Sequence, residues 1–135
     1  MKKKVLVLCT GNSCRSIIAE ALINNYLDGI EAKSSGVKAS GKVNPNAKKV
    51  LEEFNIWSDK YYSKTLDKVI DEKFDLIVTV CDNAKQTCPI FPRPIPKLHI
   101  SFMDPAGKEY NSFIKTYNEI KKQLLPQVKD YFDAK

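Results

Sequence analysis

The segment CTGNSCRS at Cys9–Ser16 constrains this chain most, because it joins a buried strand directly to the start of a helix. The residues before it, Lys3–Leu8, end in a run of valine and leucine typical of a parallel strand that is buried on both faces. After it, apolar residues recur over Ser16–Leu27 at helical spacing. A loop in this position, with the flexible Gly11, can turn its backbone N–H groups and the helix N-terminus towards one point. The segment therefore predicts a cradle for a tetrahedral oxyanion.

Within this predicted cradle, Cys9 is the candidate nucleophile. The positive field of the loop lowers the pKa of a thiol placed inside it, so we expect Cys9 to be a thiolate near neutral pH. Arg15 adds a planar fork of donors that holds two oxygens at once, and the Ser16 hydroxyl can donate to the thiolate. The other expected oxyanion-binding positions are the loop residues Thr10, Gly11, Asn12, Ser13 and Cys14.

Two of these positions also have a simpler structural interpretation. Asn12 tolerates a left-handed backbone and can hold the loop by side-chain hydrogen bonds. Cys14 can be a small buried thiol with no chemistry. The whole segment could in turn be a buried cysteine beside an ordinary Gly-Asn turn, but the strand before it and the helix behind it favour the cradle.

Strands and helices alternate along the rest of the chain. Further strands are predicted at Ile30–Ser34, Asp75–Val80 and Leu98–Phe102, and helices at Pro45–Phe54, Ser63–Ile70 and Tyr110–Leu125, the last kinked or ended by Pro126. This order predicts one α/β domain over residues 1–135, a three-layer sandwich with a parallel four-stranded sheet and helices on both faces. Ligands of such sheets bind beyond the carboxyl ends of the strands, where Cys9 and Cys81 both lie.

Composition narrows the class of protein further. The 135 residues carry a net charge of +6, and of 22 basic residues only Arg15 and Arg93 are arginine. The positive charge favours either a lysine-coated, solvated surface or a field that attracts anions. The sequence contains no recognisable nucleic-acid motif and no apolar run long enough to span a membrane. The apolar stretch behind the N-terminal lysines, Val5–Leu8, is too short for a secretory signal. We therefore expect a cytoplasmic monomer whose four cysteines are reactive rather than disulfide-bonded.

Several motifs together resemble a known family. VLVLCTGNSCRS, SSG with VNPNA, DLIVTVCD with TCPIFP, and DPAGKE are similar to segments of the low-molecular-weight tyrosine phosphatase fold, and most closely to the thioredoxin-coupled arsenate reductases built on it. The resemblance implies reduction of arsenate to arsenite, with phosphate or sulfate as competing anions and thioredoxin as electron donor. Some relatives bind a potassium ion near the loop through oxygens that match Asn12, Glu20 and Ser34. Lys64 aligns with their fourth ligand, and its ammonium could occupy that space, so we expect no metal and no organic cofactor.

The same resemblance implies a relay of three thiols. Cys9 attacks arsenate, Cys81 attacks Cys9 as arsenite leaves, and Cys88 then attacks Cys81, giving a disulfide that thioredoxin reduces. Seven helical steps from Cys81 to Cys88 would span roughly 10 Å, whereas a disulfide needs Cα atoms about 4.4–6.8 Å apart. We therefore expect this segment to be mobile and to differ between the reduced and oxidised forms. A zinc site is disfavoured because four cysteine ligands would consume the nucleophile, Cys9.

Asp104, followed by Pro105, is the candidate general acid. Its position matches the Asp-Pro acid of the wider fold, and a carboxylic acid held over the cradle can protonate a leaving oxygen. The alternative is a helix cap followed by proline. Ala106 stands where a typical phosphatase of this fold carries an aromatic residue, which weakens the case for aryl phosphate substrates.

Two alternatives to arsenate reduction remain open from the sequence. A low-molecular-weight protein tyrosine phosphatase needs only Cys9, Arg15 and Asp104, and weak phosphatase activity can accompany the reductase because one cradle fits both oxyanions. A redox-sensing or anion-binding protein would instead use its cysteine segment to bind a partner without turnover.

Overall fold

The computed structural model describes residues 2–81 and 94–134. Within these ranges the strands are β1 (Lys3–Cys9), β2 (Ile30–Gly36), β3 (Leu76–Thr79) and β4 (Lys97–His99). The helices are α1 (Arg15–Tyr26), α2 (Pro45–Glu53) and α3 (Tyr110–Asp133), and Leu66–Lys68 forms one 3-10 turn. The predicted Cys88 and Arg93 lie outside the described residues.

The four strands form one parallel sheet in the order β2-β1-β3-β4. Successive residues of a strand point to opposite faces. All four consecutive residues Val5–Leu8 are nevertheless fully buried, so both faces of the sheet are covered. This confirms the predicted α/β architecture of a parallel four-stranded sheet flanked by helices.

The three helices surround a common apolar core. α1 packs on β1 and β2 and contacts both α2 and α3, while α2 also contacts α3. Tyr117 of α3 is almost fully buried, and its ring stacks on that of Phe54 at 4.3 Å between centroids. In the described ranges, no helix is both long enough and apolar enough to cross a membrane.

Two elements near the carboxyl edge of the sheet differ from their sequence-based predictions, and so does the last helix. The helix expected at Ser63–Ile70 is reduced to the 3-10 turn. β4 ends at His99 rather than Phe102, although Ile100 N–H and Phe102 N–H still donate to the carbonyls of Thr79 and Val80. Residues 100–102 therefore run beside the end of β3 without forming a regular β-ladder. This path leads directly to Asp104 and the candidate site.

α3 continues through Pro126 to Asp133 instead of ending near Leu125. Proline removes one helical hydrogen bond, but Leu124, Leu125 and Val128 on either side of it are buried in the core. The helix continues because this packing outweighs the local cost of the proline.

We expect Pro126→Ala to stabilise the fold by about 1–3 kcal/mol, because it restores a backbone N–H and removes a steric clash at an exposed position. Urea unfolding followed by circular dichroism measures the change. Gln127→Ala, exposed on the same turn, is the matched control and should change the free energy of unfolding much less. A Pro126→Ala variant no more stable than the parent would contradict this interpretation.

Candidate active site

The loop between β1 and α1 is held from outside by the segment that follows β2. The carbonyls of Cys9, Thr10, Gly11 and Ser13 accept hydrogen bonds of 2.9–3.1 Å from the N–H groups of, in order, Val37, Lys38, Ser40 and Asn44. In a trans peptide unit the N–H and C=O lie in one plane and point in opposite directions, so the N–H groups of these four peptide units point away from the outer segment, towards the inside of the loop. A cradle of inward-facing amides is the arrangement that binds an oxyanion.

Close packing at Gly36 allows this arrangement. A Cβ atom on Gly36 would lie 2.6 Å from the carbonyl oxygen of Thr10 and 3.1 Å from the Asn12 side chain. Only glycine lets β2 approach the loop this closely.

Asn12 is the central brace of the loop. It is fully buried and has the left-handed backbone predicted for it, with φ of 50°. Its Nδ2 donates to Ser16 Oγ at 2.8 Å and to Ser34 Oγ at 2.9 Å, while its Oδ1 accepts from Lys64 N–H at 2.8 Å. One side chain therefore ties the loop to α1, to β2 and to the segment before the 3-10 turn.

The brace continues into the buried carboxyl group of Glu20. Ser34 Oγ donates to Glu20 Oε1 at 2.5 Å, and Glu20 is only 3% exposed. Burial raises the pKa of Glu20 to about 7, against the opposing effects of the Lys64 ammonium and the Ser34 hydrogen bond. The sequence indicated this residue only as a match to a potassium ligand of some relatives, with a hydrogen bond that braces the loop as the alternative.

The side chains of Cys9 and Cys81 lie close enough to interact, and both residues are buried. Thr10 Oγ1 lies 3.3 Å from the Cys81 sulfur. The predicted convergence of the two cysteines at the carboxyl edge of the sheet is therefore present in the structure.

The pKa of Cys9 is shifted in the direction opposite to the lowering that the sequence predicted. The hydrogen bond to Cys81 and burial raise the pKa of Cys9 well above its ordinary value. Arg15 and the Thr10 N–H lower the pKa of Cys9, but they do not outweigh the neighbouring thiol. The sequence-based argument considered only the positive groups of the loop.

Arg15 links the loop to the segment that carries Asp104. Its Nη1 donates to the Phe102 carbonyl at 3.0 Å, and its Nη2 lies 3.5 Å from Asp104 Oδ2. Its Nε is buried without a hydrogen-bond partner. The guanidinium therefore keeps a donor available beside the cradle.

Asp104 is about half exposed, and its Oδ1 accepts from Ala106 N–H at 3.0 Å. The alternative role as a cap of the last helix is not supported, because α3 has Glu109 at its N-cap. The turn at Asp104 instead presents a carboxyl group to Arg15, where an acid for the cradle would be needed.

The remaining predicted positions differ in what they contact. Ser16 Oγ is held by Asn12 rather than by the Cys9 sulfur, so its expected role at the thiol stays a prediction. Cys14 is buried, with its sulfur 3.6 Å from Ser13 Oγ. Within residues 2–81 and 94–134, no group of three or more candidate ligands could hold a metal ion.

Asn12→Gly should destabilise the protein by about 2–4 kcal/mol, because it removes three buried hydrogen bonds while still permitting the positive φ. Asn12→Ala should cost about 1 kcal/mol more, since alanine resists this backbone conformation. Chemical denaturation measures both, with the exposed Asn118→Ala as control. Equal stability of Asn12→Gly and the parent would refute the bracing role.

Cys81→Ala should lower the pKa of Cys9, because it removes the group that raises this pKa most. The rate of alkylation by iodoacetamide follows the thiolate fraction, so its rise with pH should shift to lower pH. Mass spectrometry of the Cys9 peptide measures the rate at each pH. An unchanged profile, or a shift to higher pH, would show that Cys81 does not control the nucleophile.

Comparison with known proteins agrees with this geometry. The family model described as low molecular weight phosphotyrosine protein phosphatase matches residues 4–130. An arsenate reductase of Bacillus cereus (strain AH187) is 43% identical over 124 residues, covering 91% of this chain and 92% of the relative. "Arsenate reductase 2" of Bacillus cereus (strain ATCC 10987 / NRS 248) is 44% identical over the same length and coverage.

Solved structures show the same fold. The crystal structure of arsenate reductase from Archaeoglobus fulgidus has a TM-score of 0.80 at 33% identity, covering 93% of this chain and 98% of that one. A low molecular weight protein tyrosine phosphatase from T. tengcongensis has a TM-score of 0.81 at 24% identity, covering 96% and 99% of the two chains. On the sequence, the site and these comparisons, the chain belongs to the low molecular weight phosphotyrosine protein phosphatase family.

Proposed function

We propose that this protein reduces arsenate to arsenite through a relay of Cys9, Cys81 and Cys88, with thioredoxin as electron donor. The proximity of the Cys9 and Cys81 side chains carries the proposal, because a phosphatase has no need of a second thiol there. Relatives 43–44% identical over most of the chain carry the name arsenate reductase. The expected location is the cytoplasm.

The first step is a condensation in the cradle. The loop amides and the Arg15 fork bind the arsenate oxygens, and Cys9 forms a sulfur–arsenic bond. An arsenate oxygen leaves as water, whose protons come from the Cys9 thiol and the hydrogen arsenate, with Asp104 as proton relay. The arsenic remains pentavalent in this step.

The second step transfers two electrons. Cys81 attacks the Cys9 sulfur as a thiolate, a Cys9–Cys81 disulfide forms, and the electron pair of the sulfur–arsenic bond stays on arsenic. Arsenic thereby becomes trivalent and leaves as arsenite. Thr10 Oγ1, 3.3 Å from the Cys81 sulfur, is placed to orient this thiol towards its target.

The third step moves the disulfide outward. Cys88 attacks Cys81 and releases the Cys9 thiol, and a dithiol of thioredoxin then reduces the Cys81–Cys88 disulfide. This step requires the segment after Cys81 to bring Cys88 within disulfide range. We predict that the backbone amide shifts of residues 81–88 differ between the reduced and oxidised forms.

Phosphatase activity is the second candidate, favoured by the family and by Arg15 with Asp104 beside the cradle. Ala106 follows the Asp-Pro pair, so that position provides no aromatic wall for an aryl substrate. We therefore place phosphate ester hydrolysis below arsenate reduction.

Three single substitutions test the relay. Cys9→Ser should abolish all activity, Cys81→Ser should abolish arsenite release, and Cys88→Ser should form arsenite once per enzyme and then stop. Arsenite is measured in single-turnover and steady-state assays with thioredoxin, thioredoxin reductase and NADPH. Aryl phosphate hydrolysis is measured in parallel, because it needs Cys9 but neither Cys81 nor Cys88.

Sustained turnover by Cys88→Ser with thioredoxin would contradict the relay. Aryl phosphate hydrolysis that far exceeds arsenate turnover in the parent would instead assign the protein as a phosphatase.

A further inference from the structure

A cavity of about 300 Å³ opens beside β2 and is here called the β2 pocket. The described residues that line it lie outside the Cys9–Arg15 loop and outside the segment of Asp104. Four lysines line it: Lys33, Lys60, Lys64 and Lys68. It is therefore a charged cavity separate from the candidate active site.

Two of the carboxylates at the β2 pocket are already neutralised. Glu72 accepts from Lys33 Nζ at 2.8 and 3.0 Å and from Lys4 Nζ at 3.3 Å. Glu31 lies 4.0 Å from the same Lys4 ammonium. These pairs leave little negative charge to oppose an anion at the rim.

The third carboxyl group, Glu20, is only partly ionised near neutral pH. It is buried, its Oε1 accepts from Ser34, and burial raises its pKa to about 7. The charged groups that act on it are Lys33 on β2 and Lys60 and Lys64 on the loop before the 3-10 turn, with the Tyr61 hydroxyl also facing it.

The lysines Lys60, Lys64 and Lys68 carry the uncompensated charge. None of the three has a carboxylate within 4.0 Å among the residues that the structure describes. Lys64 is only 7% exposed, and its Nζ donates to the Tyr62 carbonyl at 3.1 Å, which leaves two of its protons for another acceptor. Burial lowers the pKa of Lys64, and the Glu20 carboxyl that opposes this shift is itself only partly ionised near neutral pH, so an anionic ligand would stabilise the Lys64 ammonium.

We propose that the β2 pocket is a second anion-binding site, which takes a small molecule carrying two or more negative charges between Lys60, Lys64 and Lys68. The site is independent of the proposed reduction, and its volume exceeds what a single tetrahedral oxyanion fills. Binding there reaches the active-site loop through Glu20, Ser34 and Asn12, which are joined by hydrogen bonds.

The position of Glu20 sets the pH dependence of this site. A bound anion disfavours the ionised carboxylate, so binding is tightest where Glu20 is protonated and weakens as pH rises through its pKa of about 7. The affinity for a ligand that does not itself titrate should therefore fall between about pH 6 and about pH 8.

Methanedisulfonate is a suitable probe, because it stays a dianion over this pH range. It is titrated into the isotope-labelled parent protein, and the amide signals of Ala32 and Val69 at the pocket are followed beside that of Gly11 in the loop. The pocket signals should saturate with their own dissociation constant, and Arg15→Ala should weaken binding at Gly11 alone.

The pocket variant is the double substitution Lys60→Met and Lys68→Met, at two exposed positions. The control is the double substitution Lys115→Met and Lys122→Met, at two exposed positions of α3. Both variants lose the same net charge. We expect about a tenfold weaker affinity at the pocket for the first and less than about a twofold change for the second. Shifts confined to Gly11, or equal losses in both variants, would overturn the proposal.

Glu20→Gln keeps the acceptor for Ser34 and removes the titration. This variant should bind the probe equally at about pH 6 and about pH 8, whereas the parent should bind it more tightly at about pH 6. A pH dependence that survives Glu20→Gln would overturn the assignment of Glu20 to this site.

Discussion

The parallel pairing of β1 with β3 determines where the chemistry of this protein lies. Leu8 is in register with Thr79, so both strands end at the same edge and the residues after them meet there. Cys9 and Cys81 are 72 positions apart in the chain, yet their side chains lie near each other and interact. A shift of one residue in this register would turn one of the two thiols to the other face of the sheet.

The pairing of β1 with β2 has a separate consequence for the cradle. It brings the chain after Gly36 along the outside of the loop, where the N–H groups of residues 37, 38, 40 and 44 occupy the loop carbonyls. The inward direction of the amides thus depends on backbone contacts rather than on the side chains of the motif. This explains how a short loop with one glycine keeps an anion-binding shape.

Local patterns were sufficient for most of the fold and for the residues of the loop. The run at Val5–Leu8 and the helical spacing after Cys9 carry their own structural preferences, and the parallel sheet follows from their alternation. The bond from Ser34 to Glu20 and the continuation of α3 through Pro126 depend on contacts between distant residues. No periodicity in a short window records such contacts, so they required the structure.

The raised pKa of Cys9 has a chemical use in the proposed reaction. Condensation of a thiol with arsenate releases water, and that water needs protons that an ionised sulfur would not bring. In the proposed reaction, a Cys9 thiol that keeps its proton until the oxyanion reaches the Arg15 fork would carry one of these protons to the site. Cys81 would then have two successive effects, since it would first raise the pKa of the nucleophile and later take the Cys9 sulfur from arsenic. The same contact between two sulfurs would thereby delay ionisation until substrate is bound and provide the electrons for its reduction.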